Sequence, residues 1–184
     1  VDYFLMDNYL YFKEVNNPDN IETLLRQIEP AQYGSPINLL KVTIGQNFKF
    51  RRFHLDNLVV YQKSDVNDIL SIPELYTWHS LYYANMLYKV MDYRIGFDMK
   101  FNTPFRAPSY AINASQFYYD NVGTEFSTYP IVDVWATANI RRVNLFISYN
   151  FVNQFIAPKG YYSVRRYPMQ DANIRFGVSW KFYD

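Results

Sequence analysis

The sequence predicts an all-β chain: an antiparallel transmembrane β-barrel with about eight strands, residues 1–184 forming a single membrane-spanning region. Three observations carry that prediction: apolar and polar residues alternate strictly, the alternating runs exceed ordinary strand length, and tight turns alternate with long connections. Composition agrees. Hydrophobic residues make up 49% and aromatics 20%, with 19 Tyr, 15 Phe and 3 Trp, yet mean hydropathy is only −0.27. Apolar material is therefore interleaved with polar material, as in strands with one greasy and one wet face.

The C-terminus carries the cleanest signal. Ile174, Phe176, Val178, Trp180 and Phe182 alternate with Asn173, Arg175, Gly177, Ser179 and Lys181. Successive strand residues point to opposite faces, so this spacing separates a lipid-seeking set from a water-seeking one. Tyr93, Ile95, Phe97, Met99 and Phe101 repeat the pattern against Arg94, Asp98 and Lys100. Val132 to Ile140 and Val143 to Phe151 repeat it again, with Asp133 and Asn139 on one polar set and Asn150 on the other. A turn at Arg141-Arg142 would pair Ile140 with Val143, Ala138 with Leu145 and Ala136 with Ile147. Arginine suits a tight primed turn poorly, which predicts a slightly wider loop.

The remaining strands fall near 2–12, 38–50, 53–63 and 74–88, giving runs mostly 11–15 residues long. Globular strands average about 5–6 residues, whereas a tilted strand crossing a bilayer needs about 9–11. Length, more than alternation, selects the membrane reading over a soluble β-sandwich. Tight turns fall near Arg51, Val90 and Arg142, and long loops cover roughly 13–37, 64–73, 103–127 and 154–171. Short periplasmic turns and long outer loops are the habit of outer-membrane barrels, which puts the C-terminus on the periplasmic side. Aromatics at strand ends, such as Tyr9, Tyr11, Phe12, Tyr82, Tyr83, Trp180 and Phe182, are expected in interfacial girdles. Within the first loop, Asp19 to Glu22 reads as a capping box and Ile21, Leu24, Leu25 and Ile28 follow at helical spacing until Pro30, predicting a short helix.

Other chemistries find little support. No apolar run reaches the roughly 18–20 residues of a spanning helix. Net charge is +1, and the pairs Arg51-Arg52, Arg141-Arg142 and Arg165-Arg166 are isolated, so no nucleic-acid partner is expected. Cysteine is absent and only His54 and His79 are present, so neither a metal site nor another cofactor is anticipated. His79 and Ser80 are adjacent and would face opposite ways in a strand, so they cannot act as base and nucleophile. If His79 shares a face with Leu75, Leu81 and Leu87, it reads as an interface residue. The chain is expected not to be an enzyme. It opens at Val1 without an export signal, which predicts a mature or partial chain.

Three stretches carry a resemblance: His54-Leu-Asp-Asn-Leu-Val-Val-Tyr-Gln-Lys-Ser64, Ile72-Pro-Glu-Leu75 with Ser80-Leu-Tyr-Tyr83, and Arg175-Phe-Gly-Val-Ser-Trp-Lys-Phe-Tyr-Asp184. They resemble the putative porin family of Bacteroidota outer membranes, from about Leu40 to the end. The ending also resembles the signal read by the barrel assembly machinery, with Arg175, Gly177, Trp180 and Phe182 in its positions and Tyr183-Asp184 as an extension. Family members look like longer chains, so the resemblance implies the C-terminal part of a larger barrel, with no catalytic residues to carry over. The expected lumen set is Arg94, Asp98, Lys100, Asp133, Asn139, Asn150, Arg175 and Lys181. The implied partners are outer-membrane lipid, the assembly machinery and possible neighbouring outer-membrane proteins. A passive channel for small hydrophilic solutes is the first functional expectation. An accessory subunit of a larger secretion or uptake complex is the second, favoured by bulky aromatics such as Trp135 and Phe146 on the lumen side.

Overall fold

The computed structural model describes residues 1–15, 27–120, 125, 128–156, 162–164 and 167–182. Its main feature is one antiparallel sheet of eight strands. In chain order the strands of the whole molecule are β1 (Asp2–Met6), β2 (Tyr9–Glu14), β3 (Ile28–Tyr33), β4 (Ile37–Phe50), β5 (Phe53–Ser64), β6 (Leu75–Leu87) and β7 (Met91–Asn102). There follow β8 (Ser109–Ala111), β9 (Gln116–Tyr118), β10 (Ile131–Ile140), β11 (Val143–Asn150), β12 (Tyr162–Val164), β13 (Tyr167–Pro168) and β14 (Asn173–Trp180). The large sheet runs β1-β4-β5-β6-β7-β10-β11-β14 and is open: β1 and β14 each have one neighbour among the described residues. With the small hairpins β2-β3, β8-β9 and β12-β13 set aside, every strand pairs with the next in sequence. The sheet is a plain meander, as alternating turns and loops demand.

Register follows from the tight turns. Phe50 pairs with Phe53 across Arg51-Arg52, and Ile140 pairs with Val143 across Arg141-Arg142. Both loops thus hold two residues, and Ala138 meets Leu145 and Ala136 meets Ile147 as expected. The wider loop expected at Arg141 is not found. Arg51 and Arg141 instead take positive φ, 55° and 52°. Strand twist favours primed turns, and a full ladder of pairs on either side outweighs the strain in one exposed arginine. At the third turn Leu87 pairs with Met91, with Tyr88 and Lys89 both at positive φ.

Elsewhere the expected boundaries shift. The single strand near 2–12 is two strands, broken at Asn8 with φ of 56°. Only β1 joins the large sheet, while β2 pairs with β3. Tyr9, Tyr11 and Phe12 therefore belong to a loop hairpin and not to a girdle on the sheet. The helix expected after Asp19 lies largely outside the described residues, but its expected end is strand: Ile28 pairs with Glu14 and Pro30 with Phe12. At Ile28 helical spacing is outweighed by pairing with a ready strand, and β3 is an edge where proline's missing N–H is tolerated. β11 stops at Asn150 because Phe151 turns left-handed, φ 58°, into a 3-10 turn over Val152–Phe155. β14 likewise ends at Trp180, short of Phe182.

Burial is divided between the connections and the sheet, where Ser64, Ser80 and Asn150 are buried. Ala107, Ser109, Ala111, Tyr118 and Asp120 are buried in the connection between β7 and β10, and Ile37 is fully buried at the start of β4. Across the sheet, large apolar side chains are exposed instead, including Ile95 (52%), Ile174 (66%) and Phe176 (81%).

Candidate functional site

The cross-strand pairs sort the sheet into two faces. One carries Ile44, Val59, Leu81, Phe97, Val134, Tyr149 and Ile174 in adjoining strands, and is mainly apolar from β4 to β14. Ile95, Met99, Leu145, Ile147, Phe176 and Val178 share it. The opposite face carries the charges and is the candidate functional surface.

Two neighbouring rows of paired residues organise this polar face. One row reads Lys49, His54, Tyr82, Gly96, Trp135, Ser148 and Arg175 across seven successive strands. Its centre is aromatic and its ends are basic. His54 stacks on Tyr82 with centroids 4.8 Å apart, Tyr82 lies 5.7 Å from Trp135, and the Arg94 guanidinium sits 6.0 Å from the Tyr82 ring centroid. Gly96 makes this close approach possible, because a Cβ there would lie 2.5 Å from the Tyr82 Cβ and 2.6 Å from the Leu81 carbonyl oxygen. Gly177 plays a similar part beneath the ring of Phe146, its partner on β11.

The adjoining row is acidic: Asn47, Asp56, Ser80, Asp98 and Asp133 lie opposite one another. Asp98 Oδ1 accepts from Ser80 Oγ at 2.6 Å and from Trp135 Nε1 at 2.8 Å. Asp133 pairs with Lys100 Nζ at 3.0 Å and accepts from the Phe151 backbone N–H at 2.9 Å, which ties the end of β11 to β10. Near the turns, Lys49, His54, Asp92, Arg94 and Asn139 line a polar hollow of about 370 Å³.

Arg94, Asp98, Lys100, Asp133, Asn139, Asn150 and Arg175, expected from the sequence to share a surface, are brought to this one face. Asn150 is buried and its side-chain amide meets the Arg175 guanidinium. Lys181 lies just beyond β14, exposed, with its backbone N–H donating to the Arg142 carbonyl at 3.0 Å. Of the terminal set, Trp180 pairs with Val143 on the apolar side and stacks on Phe182 at 5.3 Å. Tyr183 and Asp184 lie outside the described residues. Tyr82, expected in a girdle, belongs to the polar face, whereas Tyr83 pairs with Ile95 on the apolar one. His79 and Ser80 do diverge: Ser80 faces Asp98, and the His79 Nδ1 lies 2.7 Å from Asn57 Oδ1 on the apolar side.

Sequence reading missed Lys49, His54, Asp56, Asp92 and Tyr82 as members of this surface. Alternation in β4 and β5 is blurred because Leu39, Leu58 and Val60 make the same face apolar at the end away from the turns. The pair Phe50-Phe53 flanking Arg51-Arg52 was the available signal, since it sets the phase of both strands.

At that far end the connections pack on one another. Tyr119 exchanges backbone hydrogen bonds with β2, its N–H to Phe12 at 3.1 Å and its carbonyl from Glu14 at 3.4 Å. Burial pushes the Tyr119 hydroxyl pKa up. Ser71 Oγ accepts from the Arg106 N–H at 3.0 Å, and Ser109 Oγ donates to the buried Asp120 carboxylate at 2.7 Å. Just past the end of β5, Asp65 accepts from both the side chain and the backbone N–H of Asn38, at 2.6 and 2.9 Å, which holds its carboxyl below the usual range.

No three His, Asp or Glu side chains come together to hold a metal ion among the described residues. No helix among them is long and apolar enough to cross a membrane, a statement that leaves strand-built membrane proteins untouched. In comparison with known proteins, no curated protein and no solved structure matches the chain. A family model described as "putative porin" matches residues 1–184. An all-β meander with one apolar and one polar face, matched over its whole length by that model, belongs to the putative porin family.

Proposed function

We propose that the chain is the C-terminal portion of a Bacteroidota outer-membrane β-barrel whose polar face lines a passive channel for small hydrophilic solutes. The observation that carries this reading is the bare apolar face running in register across β4 to β14. Water would not tolerate so broad an exposed apolar surface, whereas hydrocarbon is its natural solvent. In hydrocarbon the unpaired edges of β1 and β14 would each cost several kcal/mol per group, so closure with further strands of the same barrel follows. Membership of the putative porin family supports the same location.

In this reading the turns at Arg51, Tyr88 and Arg141 and the C-terminus are periplasmic, and the long connections face outward. The role is non-catalytic and needs no cofactor. Trp180 and Phe182 serve as the aromatic positions of the assembly signal, and their joint replacement by Ala would leave unfolded precursor in the periplasm. The proposed lumen carries both signs, Arg94, Lys100 and Arg175 against Asp98 and Asp133, so strong charge selection is not expected.

The full-length protein in planar bilayers should give ohmic conductance with weak ion selectivity. A folded barrel that stays silent would favour the second reading, an accessory subunit of a larger outer-membrane complex. That alternative draws on Tyr82, Trp135 and Phe146, which occupy the polar face with bulky rings. Native extraction should then recover the chain with larger partners.

A further inference from the structure

Besides Thr77 and Asn85 on β6, and Asn38 and Lys63 at the far ends of β4 and β5, the apolar face is interrupted by one polar cluster that joins three strands. Gln46 pairs with Asn57, and Asn57 with His79, so three polar side chains stand side by side on β4, β5 and β6. Apolar neighbours flank them, Phe48, Leu55 and Leu81 toward the turns and Ile44 and Val59 away from them, with Thr77 next to His79 on β6. Asn57 is partly satisfied within the patch, its Oδ1 2.7 Å from His79 Nδ1 and its Nδ2 donating to the Gln46 carbonyl at 3.3 Å. Among the described residues none pairs with the Gln46 side-chain amide or with the second ring nitrogen of His79.

Depth narrows what can cover this patch. The Gln46-Asn57 pair lies four positions along the strands from the Phe50-Phe53 pair at the turn. At about 3.4 Å per residue and a tilt of about 40°, the patch lies about 10 Å into an apolar band about 25 Å tall. That is too deep for headgroups or bulk water, and acyl chains offer no hydrogen bonds. Polar groups placed in hydrocarbon act as adhesive between membrane-embedded protein surfaces.

We infer that Gln46, Asn57 and His79 form a docking surface for a second copy of this chain, an inference that rests on the membrane reading above. The patch is self-complementary. A primary amide carries a donor and an acceptor side by side, so Gln46 facing its two-fold mate closes two N–H···O bonds between identical groups. Neither amide brings a charge to repel its copy. The patch is also three strands wide, about 10 Å, which suits the narrow line along which two convex barrels touch. The flanking Phe48, Leu55 and Val59 then seal the bonds from competing groups.

The chain has no cysteine, so Gln46→Cys in the full-length protein adds a thiol unique to this region. Oxidation in native outer membranes should convert most of it to a species of twice the mass. Phe97→Cys, on the same face but on β7, three strands from Gln46, should cross-link several-fold less because it lies off the contact line. Equal yields at both sites, monomer alone at Gln46→Cys, or a product with a protein of another mass would each overturn the inference. In detergent, sedimentation should give a dimer for the unaltered protein and a monomer for Gln46→Leu with His79→Leu; a dimer persisting in that variant would count against it. If Phe97→Cys in the folded protein reacts fully with a water-soluble, membrane-impermeant maleimide, the face is not in lipid, whatever the cross-links show.

Discussion

The sheet and the packed connections of this chain are built on opposite rules. In the connection between β7 and β10 the ordinary logic of a globular protein holds: Ala107, Ala111 and Tyr118 are buried, and the buried Asp120 is met by Ser109. In the sheet, Phe97, Ile147 and Phe176 stand exposed while the charges of the other face meet one another, as Lys100 meets Asp133. The hydrophobic effect organises the first region internally. It can stabilise the second only if something outside the chain covers the apolar face. One sequence thus folds for two solvents, water around the connections and, in our reading, lipid around the strands.

The comparison breaks most visibly if a charge is placed on the apolar face. Phe97→Arg and Ile147→Arg should each cost about 2–4 kcal/mol of folding free energy in lipid vesicles if they sit at mid-membrane, against a much smaller loss for Asp98→Asn. Equal losses in denaturant titrations would mean that the two faces see the same solvent. A next step tests how closely the polar face is packed. Gly96→Ala brings a Cβ within 2.5 Å of Tyr82 and against the Leu81 carbonyl, so a cost of about 1–3 kcal/mol is expected. Gly45→Ala is the control, since its nearest neighbour would lie at 3.9 Å and stability in the same titration should hardly change.

Within the connections, Ser109→Ala removes one donor to the buried Asp120 carboxylate and should loosen that segment by about 1–2 kcal/mol. Limited proteolysis should detect faster cutting there, with the folded sheet unaffected; global unfolding would show that the two regions are one cooperative unit. The smallest effect concerns pH. Asp65 is held below the usual carboxylate range by the Asn38 side chain and then its backbone N–H. A depressed carboxylate contributes stability that is complete above its ordinary pKa and is lost as pH falls through the lower, folded value. Amide exchange at Asn38 should therefore be slow at neutral pH and accelerate, after correction for the intrinsic rate, only in strongly acidic solution.

Much of the sheet was legible because its pattern is local. Period-two alternation from Tyr93 to Phe101 and from Ile174 to Val178 sets the face of each residue without knowledge of its neighbours, and the Arg141-Arg142 turn fixes the register of β10 on β11. For the same reason Asp98, Asp133 and Arg175 could be assigned to one surface from spacing alone. Where alternation fades, in β4 and β5, the membership of Lys49, His54 and Asp56 was lost.

What only the tertiary structure decided depends on which strand meets which. Division of the first expected strand at Asn8, pairing of β2 with β3 where a helix end was expected, and the bridge from β2 to Tyr119 all arise from contacts between distant segments. The rows that set Tyr82 and Trp135 on either side of Gly96, and Gln46 beside Asn57 and His79, likewise exist only once three strands are in register. Alternation along a strand dictates which way a side chain faces; its neighbours across the sheet are set by hydrogen-bond pairing, which no single stretch of sequence contains.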